Sequence, residues 1–255
     1  MAPRRFITSS VPFAERRFIY MEIKEFGTLR LDGQPRPFLT QHNSEKISLG
    51  DSIDGLSIPF LMWTDRLWVS TWTICLGVSW NSLNEVGFIY GKPLKIDNTP
   101  YLCRSLRVGQ SHKVENEWDD ILNRFGDDDS LWHWKNMCFW GQERAQSNPT
   151  QQAWRGFYSA HHWECQYGAH TGITYGFRPV LKKLPANPEV SDELIGSHLQ
   201  IYGPNGNICG VLREYSDYDL VLGDILLYSP GQTWNRVDDN MAVVDREAIV
   251  WMKKE

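Results

Sequence analysis

The chain has 255 residues, 42 % hydrophobic and 22 % charged, a composition that excludes a disordered tail, a collagen-like repeat and a coiled coil. Lys and Arg total 26 against 31 Asp and Glu, and the net charge of −5 argues against non-specific affinity for phosphate backbones. The unusual component is aromatic: Phe, Trp and Tyr make up 13 %, and ten of the 12 Trp fall between Trp63 and Trp163.

Residues 1–60 read as a strand-rich arm, with short apolar runs at Phe6-Ile7, Phe18-Ile19-Tyr20-Met21 and Leu29-Arg30-Leu31. The pairs Arg4-Arg5 and Arg16-Arg17 suit acidic surfaces of a neighbouring subunit. The opening MAPRRFITSSVPFAERRF has arginines but no apolar stretch, so no export signal is expected. From Trp68 to Trp80 one parity carries Trp68, Trp72, Ile74, Leu76, Val78 and Trp80 and the other Thr71, Thr73, Gly77 and Ser79, which predicts a strand with one buried face. Leu67 to Trp80, broken by Ser70, Thr71, Thr73 and Gly77, is too short to span a bilayer. No membrane partner is expected, and a cytoplasmic location is.

Lys95 to Tyr101 sets Asp97-Asn98 between apolar runs, as in a hairpin. Trp118, Ile121, Leu122 and Phe125 then recur at helical spacing, with Asn116 as N-cap and Gly126 as stop. From Asp127 to Arg178 the sequence is polar, aromatic and glycine-rich with few aliphatics, and loops on a scaffold are expected there. Asp127-Asp128-Asp129 lacks the alternating spacing of a calcium loop and reads as a solvated turn. Pro185 and Pro188 break regular structure, giving a domain at 61–184, a linker at 185–193 and a last domain at 194–255. Residues 191–255 hold 5 basic and 11 acidic groups, so the acidity is C-terminal. The five cysteines, Cys75, Cys103, Cys138, Cys165 and Cys209, are widely spaced without a CxxC, so reduced thiols are expected rather than disulfides or zinc.

The ordered series Tyr101-Leu102-Cys103-Arg104, Asn116-Glu117-Trp118-Asp119, Leu131-Trp132-His133-Trp134, Trp140-Gly141-Gln142, Trp154-Arg155-Gly156, Ser159-Ala160, Trp163 and Gly176-Phe177-Arg178-Pro179-Val180-Leu181 resembles the C-type lectin fold of the formylglycine-generating-enzyme superfamily. More narrowly, it is similar to the variable proteins of diversity-generating retroelements and their relatives in phages and bacteria, which implies a virion-associated location as the alternative to a cytoplasmic one. The resemblance covers residues 85–183 and implies that Gly176-Phe177-Arg178 is a late core strand and that the stretch before it forms a ligand-binding surface. That surface would comprise Phe157, Tyr158, His161, His162, Glu164, Gln166, Tyr167 and His170, with Trp154, Trp163 and Phe177 as scaffold. Rings and hydrogen-bonding groups with few rotatable bonds suit recognition at low ordering cost.

The oxidases of that superfamily use two cysteines close together near the last strand; here Cys165 stands alone in that window, with Cys138 well upstream. His161 and His162 point to opposite sides of an extended chain, awkward for one metal. No catalytic residue, metal or cofactor is therefore expected.

Residues 194–255 resemble an Sm-like domain of the Hfq and LSm class, through Gly210-x-Leu212 followed by Tyr215-x-Asp217-Tyr218 and through the late Ala248-Ile249. The resemblance implies a small all-β barrel that closes rings edge to edge. Asp219 stands where a base-contacting asparagine is usual, and Asp245-Arg246-Glu247 replaces a more basic loop, so nucleic acid is an unlikely partner. The expected fold is α+β: a C-type lectin-like domain rich in irregular loops, followed by the barrel. The expected function is non-enzymatic recognition of a protein or glycan by a cyclic homo-oligomer. An RNA-binding regulator and a formylglycine-generating-type oxidase are the alternatives.

Overall fold

A computed structural model describes residues 21–43, 46–204, 206–229 and 234–255. The two arginine pairs, Phe6-Ile7, Phe18-Ile19-Tyr20 and Asn205 lie outside the described residues. In chain order the elements are β1 (Ile23–Leu31), β2 (Gln34–Arg36), β3 (Thr40–Gln41), β4 (Ile47–Gly50), β5 (Ser57–Thr64), β6 (Leu67–Ser70), β7 (Cys75–Leu76), α1 (Trp80–Glu85), β8 (Lys92–Ile96), β9 (Thr99–Ser105), α2 (Glu117–Phe125), α3 (Asp129–Trp132), β10 (Cys138–Arg144), β11 (Gln151–Gly156), β12 (Ser159–Tyr167), β13 (Tyr175–Phe177) and β14 (Pro179–Lys183). A 3-10 turn at Asp192–Leu194 precedes β15 (His198–Tyr202), β16 (Asn207–Tyr215), β17 (Asp219–Tyr228), β18 (Trp234–Arg236), β19 (Ala242–Asp245) and β20 (Trp251–Lys254). The chain divides into two units, residues 1–92 with 102–183 and residues 93–101 with 184–255.

With 49 % strand, 10 % helix and three helices among the described residues, the chain is mostly β, which corrects the α+β expectation. The miss arose between Asp127 and Arg178, where loops were expected and β10 to β13 form. An edge strand such as Ser159–Tyr167 carries polar groups at most positions, and its composition matches that of a loop.

In the first unit one sheet runs β2-β1-β5-β6-β14-β9, with β4 also on β1, and a second runs β12-β11-β10-β13-β7-β3. The predicted helix is α2: the Asn116 side chain accepts from Asp119 N, and Gly126 ends it at φ 83°. Its Trp118, Ile121, Leu122 and Phe125 pack in one cluster with Leu61 and Val69 of the first sheet and Phe139 and Ala153 of the second. Burial of each such side chain is worth about 1.5–3 kcal/mol. The single strand expected over Trp68–Trp80 is instead β6, β7 and the start of α1. Ser70 Oγ accepts from Trp72 N and donates to Trp72 O, turning the chain out of β6. Ser79 Oγ accepts from Ser82 N, so Trp80 opens a helix.

Arg178, between β13 and β14, is fully buried. Its Nη1 donates to Ser70 O at 2.9 Å and its Nη2 to Trp132 O at 2.5 Å. The guanidinium carbon lies 4.8 Å from the Phe139 ring centroid and 5.2 Å from that of Trp118. Burial pushes its pKa down to about 9, so it stays charged at neutral pH. Arg178→Lys keeps the charge and loses the fork, leaving one carbonyl unpaired; urea unfolding should show a loss of about 2–4 kcal/mol.

Glu117, at the start of α2, is buried and takes two 2.7 Å bonds from Arg104. It takes two more, at 3.0 Å, from the backbone N and Nη2 of Arg107. Burial pushes its carboxyl up, but these four bonds outweigh it and the net shift is downward. A depressed carboxyl stabilises the fold fully above its unfolded value and loses that contribution as pH falls through the folded one. Glu117→Gln should therefore lower stability at neutral pH and flatten the decline below about pH 4.3, read by thermal melts across pH.

In the second unit the sheet runs β18-β19-β17-β16-β15-β20. Leu199, Ile201, Ile208, Leu212, Leu220, Leu222, Ala242 and Val244 alternate inward around Trp234, Ile249 and Met252. A Cβ on Gly210 would meet Gly223 O at 2.8 Å, so β16 bends onto β17 only with glycine there, beside register shifts at Cys209/Val211 and Leu212/Glu214. Trp251 Nε1 donates to Pro185 O and Met252 N to Asn187 Oδ1, so β20 engages the proline-rich segment directly.

Candidate functional site

The indoles show how the aromatic excess is used. In the first unit six of them donate Nε1–H to backbone carbonyls: Trp80 to Gly141, Trp118 to Ala160, Trp132 to Gly126, Trp134 to Asp127, Trp140 to Val78 and Trp163 to Gly109. Each ring fills space and satisfies a backbone carbonyl, in a strand or in a connection between elements. Trp154 departs from this pattern: only 4 % of its surface is exposed and its Nε1 has no partner.

Trp154 lies on β11, whose partner β12 is the edge strand of the second sheet. In the β11–β12 register Arg155 faces Trp163, Trp154 faces Glu164 and Gln152 faces Gln166. Side chains alternate across the sheet, so the eight residues proposed for binding divide between two faces. His161 is on the face of Arg155 and Trp163, where its Nδ1 is 3.6 Å from Asp119 Oδ1 and Arg155 Nη2 donates to Asp119 Oδ2 at 2.8 Å. The same alternation puts Tyr167 on that side, at the far end of the strand.

His162, Glu164 and Gln166 occupy the other face. His162 packs against Trp154 at 5.3 Å and against Tyr158 at 5.0 Å, its Nε2 3.5 Å from Glu164 Oε2. Tyr175 of β13 continues the cluster, 5.4 Å from Trp154, 4.9 Å from Trp140 and 4.7 Å from His170. Five of the eight residues, Tyr158, His162, Glu164, Gln166 and His170, therefore share one aromatic surface. Phe157 supports its rim, edge-on to Tyr158 at 4.7 Å. The turn that raises this rim is fixed by its backbone: Gly156 has φ 102°, a Cβ there would meet Met137 O at 2.5 Å, and Phe157 N donates to Trp134 O and Met137 O.

Tyr175, Trp154 and Gln152 join this surface without having been singled out as binding residues. Strand pairing brings Tyr175 there, through a parallel register with β10 that no local pattern reveals. Three buried polar atoms beneath the rim lack hydrogen-bond partners: Gln152 Oε1, Trp154 Nε1 and His162 Nε2. Above them Tyr158 is 70 % exposed.

Two thiols lie near the site, Cys138 on β10 and Cys165 on the opposite side of β12. Burial pushes Cys138 up to about 12 and also raises Cys165, so both stay protonated and are poor nucleophiles and metal ligands. Tyr175 is pushed up to about 12 by burial, with Cys138 and Glu164 adding to the shift. Among the described residues no group of three or more His, Cys, Asp or Glu is placed to hold a metal, and no helix is long and apolar enough to cross a membrane. No family model, curated protein or solved structure matches the chain.

Because Trp154 Nε1–H makes no bond to lose, Trp154→Phe should change unfolding free energy by less than about 1 kcal/mol. Trp163→Phe, which leaves Gly109 O unpaired, should cost more in the same measurement.

Proposed function

We propose that the chain is a non-enzymatic recognition protein that presents the Tyr158, His162, Glu164, Gln166 and Tyr175 face to a protein or glycan ligand and gathers copies of itself through its second unit. The observation that carries this reading is the pair of buried polar atoms without a hydrogen bond, Gln152 Oε1 and Trp154 Nε1, beside His162 and under an exposed aromatic rim. Leaving such atoms buried and unpaired is costly, and a ligand that displaces the rim side chains and pairs these atoms recovers the difference. The motif series resembling the variable proteins of diversity-generating retroelements supports the same reading, since the face coincides with the stretch that resemblance assigns to binding.

For the second unit the support is its edges. β18 and β20 end the sheet's strand order, and Leu226, Val237 and Tyr218 are exposed. Paired edge strands from successive copies close into a ring when the rotation allows, as the Sm-like resemblance implies. A ring of weak sites gains avidity without any new contact. The acidity of residues 191–255 opposes phosphate binding by such a ring.

Replacing Tyr158, His162 and Gln166 together by alanine should abolish capture of the ligand pulled down by the intact protein, with melting temperature and mass unchanged. Mass photometry of the same samples should show a single closed oligomer. A strict monomer overturns the ring, and salt-sensitive binding of A- or U-rich oligonucleotides overturns the assignment of recognition to the first unit.

A further inference from the structure

A second concave site lies within the first unit, and none of its lining residues belongs to β10 to β13. A cavity of about 380 Å3 opens between β1, β5, the Thr71-Trp72 turn and the end of α3. That volume falls in the range of small-molecule pockets, about 300–1,000 Å3. Glu25, Phe38, Pro59, Trp72, Leu131 and His133 give it its chemistry.

The walls are rings. Trp72 and His133 stack with centroids 3.3 Å apart and planes within 16°, and Phe38 meets Trp72 at 5.7 Å and 49°. His133 is held for this contact by the left-handed backbone that ends α3, φ 47°. Its Nδ1 lies 3.4 Å from Thr71 O. A carbonyl only accepts, so Nδ1 carries the proton and Nε2 keeps its lone pair. Burial lowers the His133 pKa and outweighs the Thr71 carbonyl and Asp129, which raise it, so the neutral ring predominates at pH 7. Glu25 is then the one ionised group among the lining residues. The neighbouring cations are engaged elsewhere: Lys24 pairs with Glu22 and sits over Trp68, and Arg178 is tied to Ser70 O and Trp132 O.

We infer that this cavity binds a weakly hydrated organic cation of the quaternary alkylammonium class, with its methyl groups against Phe38 and Trp72 and its charge facing Glu25. Ring faces attract a cation through their quadrupoles, Trp most strongly. Pro59 and Leu131 supply apolar surface that suits methyl groups. A primary ammonium carries three donors and a metal ion needs several oxygens; the lining offers one carboxylate, and of its three hydroxyls Ser57 donates to Ile53 O and Thr71 to Pro59 O, with Ser130 the third.

The test titrates the full chain with choline and tetramethylammonium, and with the uncharged carbon analogue of choline in which a tert-butyl group replaces trimethylammonium, followed by calorimetry and ligand-observed NMR at constant ionic strength. Both cations should bind with saturation, and the neutral analogue about tenfold more weakly. Glu25 is exposed on its strand, so Glu25→Gln should fold normally and lose about tenfold for the cations with no change for the analogue. Phe38→Ala should weaken both cations, while Tyr158→Ala should leave them unchanged, separating this site from the β12 face. Equal binding of the neutral analogue, unchanged affinity in Glu25→Gln, or no saturation in the millimolar range overturns the proposal.

Discussion

A buried guanidinium organises the first unit. Arg178 reaches from the junction of β13 and β14 to carbonyls on the β6 turn and the end of α3, and it lies against the rings of Trp118, Trp132 and Phe139. The desolvation cost of that charge is offset by two charge-assisted bonds and by aromatic faces rather than by a carboxylate. Both sheets, α2 and α3 are thereby fixed around one point. The first β13 residue, Tyr175, is three positions away and lies in the aromatic face, so that constraint also sets one of the site's rings.

The two candidate sites use this framework differently. The β12 face sits on an edge strand, braced by a turn that allows only glycine at position 156, and covers buried polar atoms without hydrogen bonds. The cavity near Trp72 depends on the place where β6 leaves its sheet, because the Ser70 turn that ends the strand also swings Trp72 onto His133. A continuous strand through Trp80 would have sent Trp72 into the sheet instead.

Features governed by neighbours in sequence were legible. Asn116, the spacing of Trp118 to Phe125 and Gly126 specify α2, and Asp97-Asn98 with positive φ at both positions forms the β8–β9 turn. The opposed directions of His161 and His162 were legible from strand geometry alone. What escaped depends on partners distant in sequence: the strand character of Ser159–Tyr167 comes from pairing with β11, and the cavity joins Glu25, Trp72 and His133 from three separated segments. The strand expected over Trp68–Trp80 failed for a local reason, since Ser70 and Ser79 offered side-chain bonds that competed with the sheet.

The lock at Gly156 has a further consequence for how the surface can change. Because the turn fixes the register of β12 against β11, the solvent-facing side chains of β12 can be exchanged without moving the strand, whereas Ala160 and Trp163 are tied into the core. Adding or removing one residue after Phe157 would instead send His162 and Glu164 to the face of Arg155, and His161 to the ligand side. The surface is therefore open to substitution and closed to single-residue changes in length.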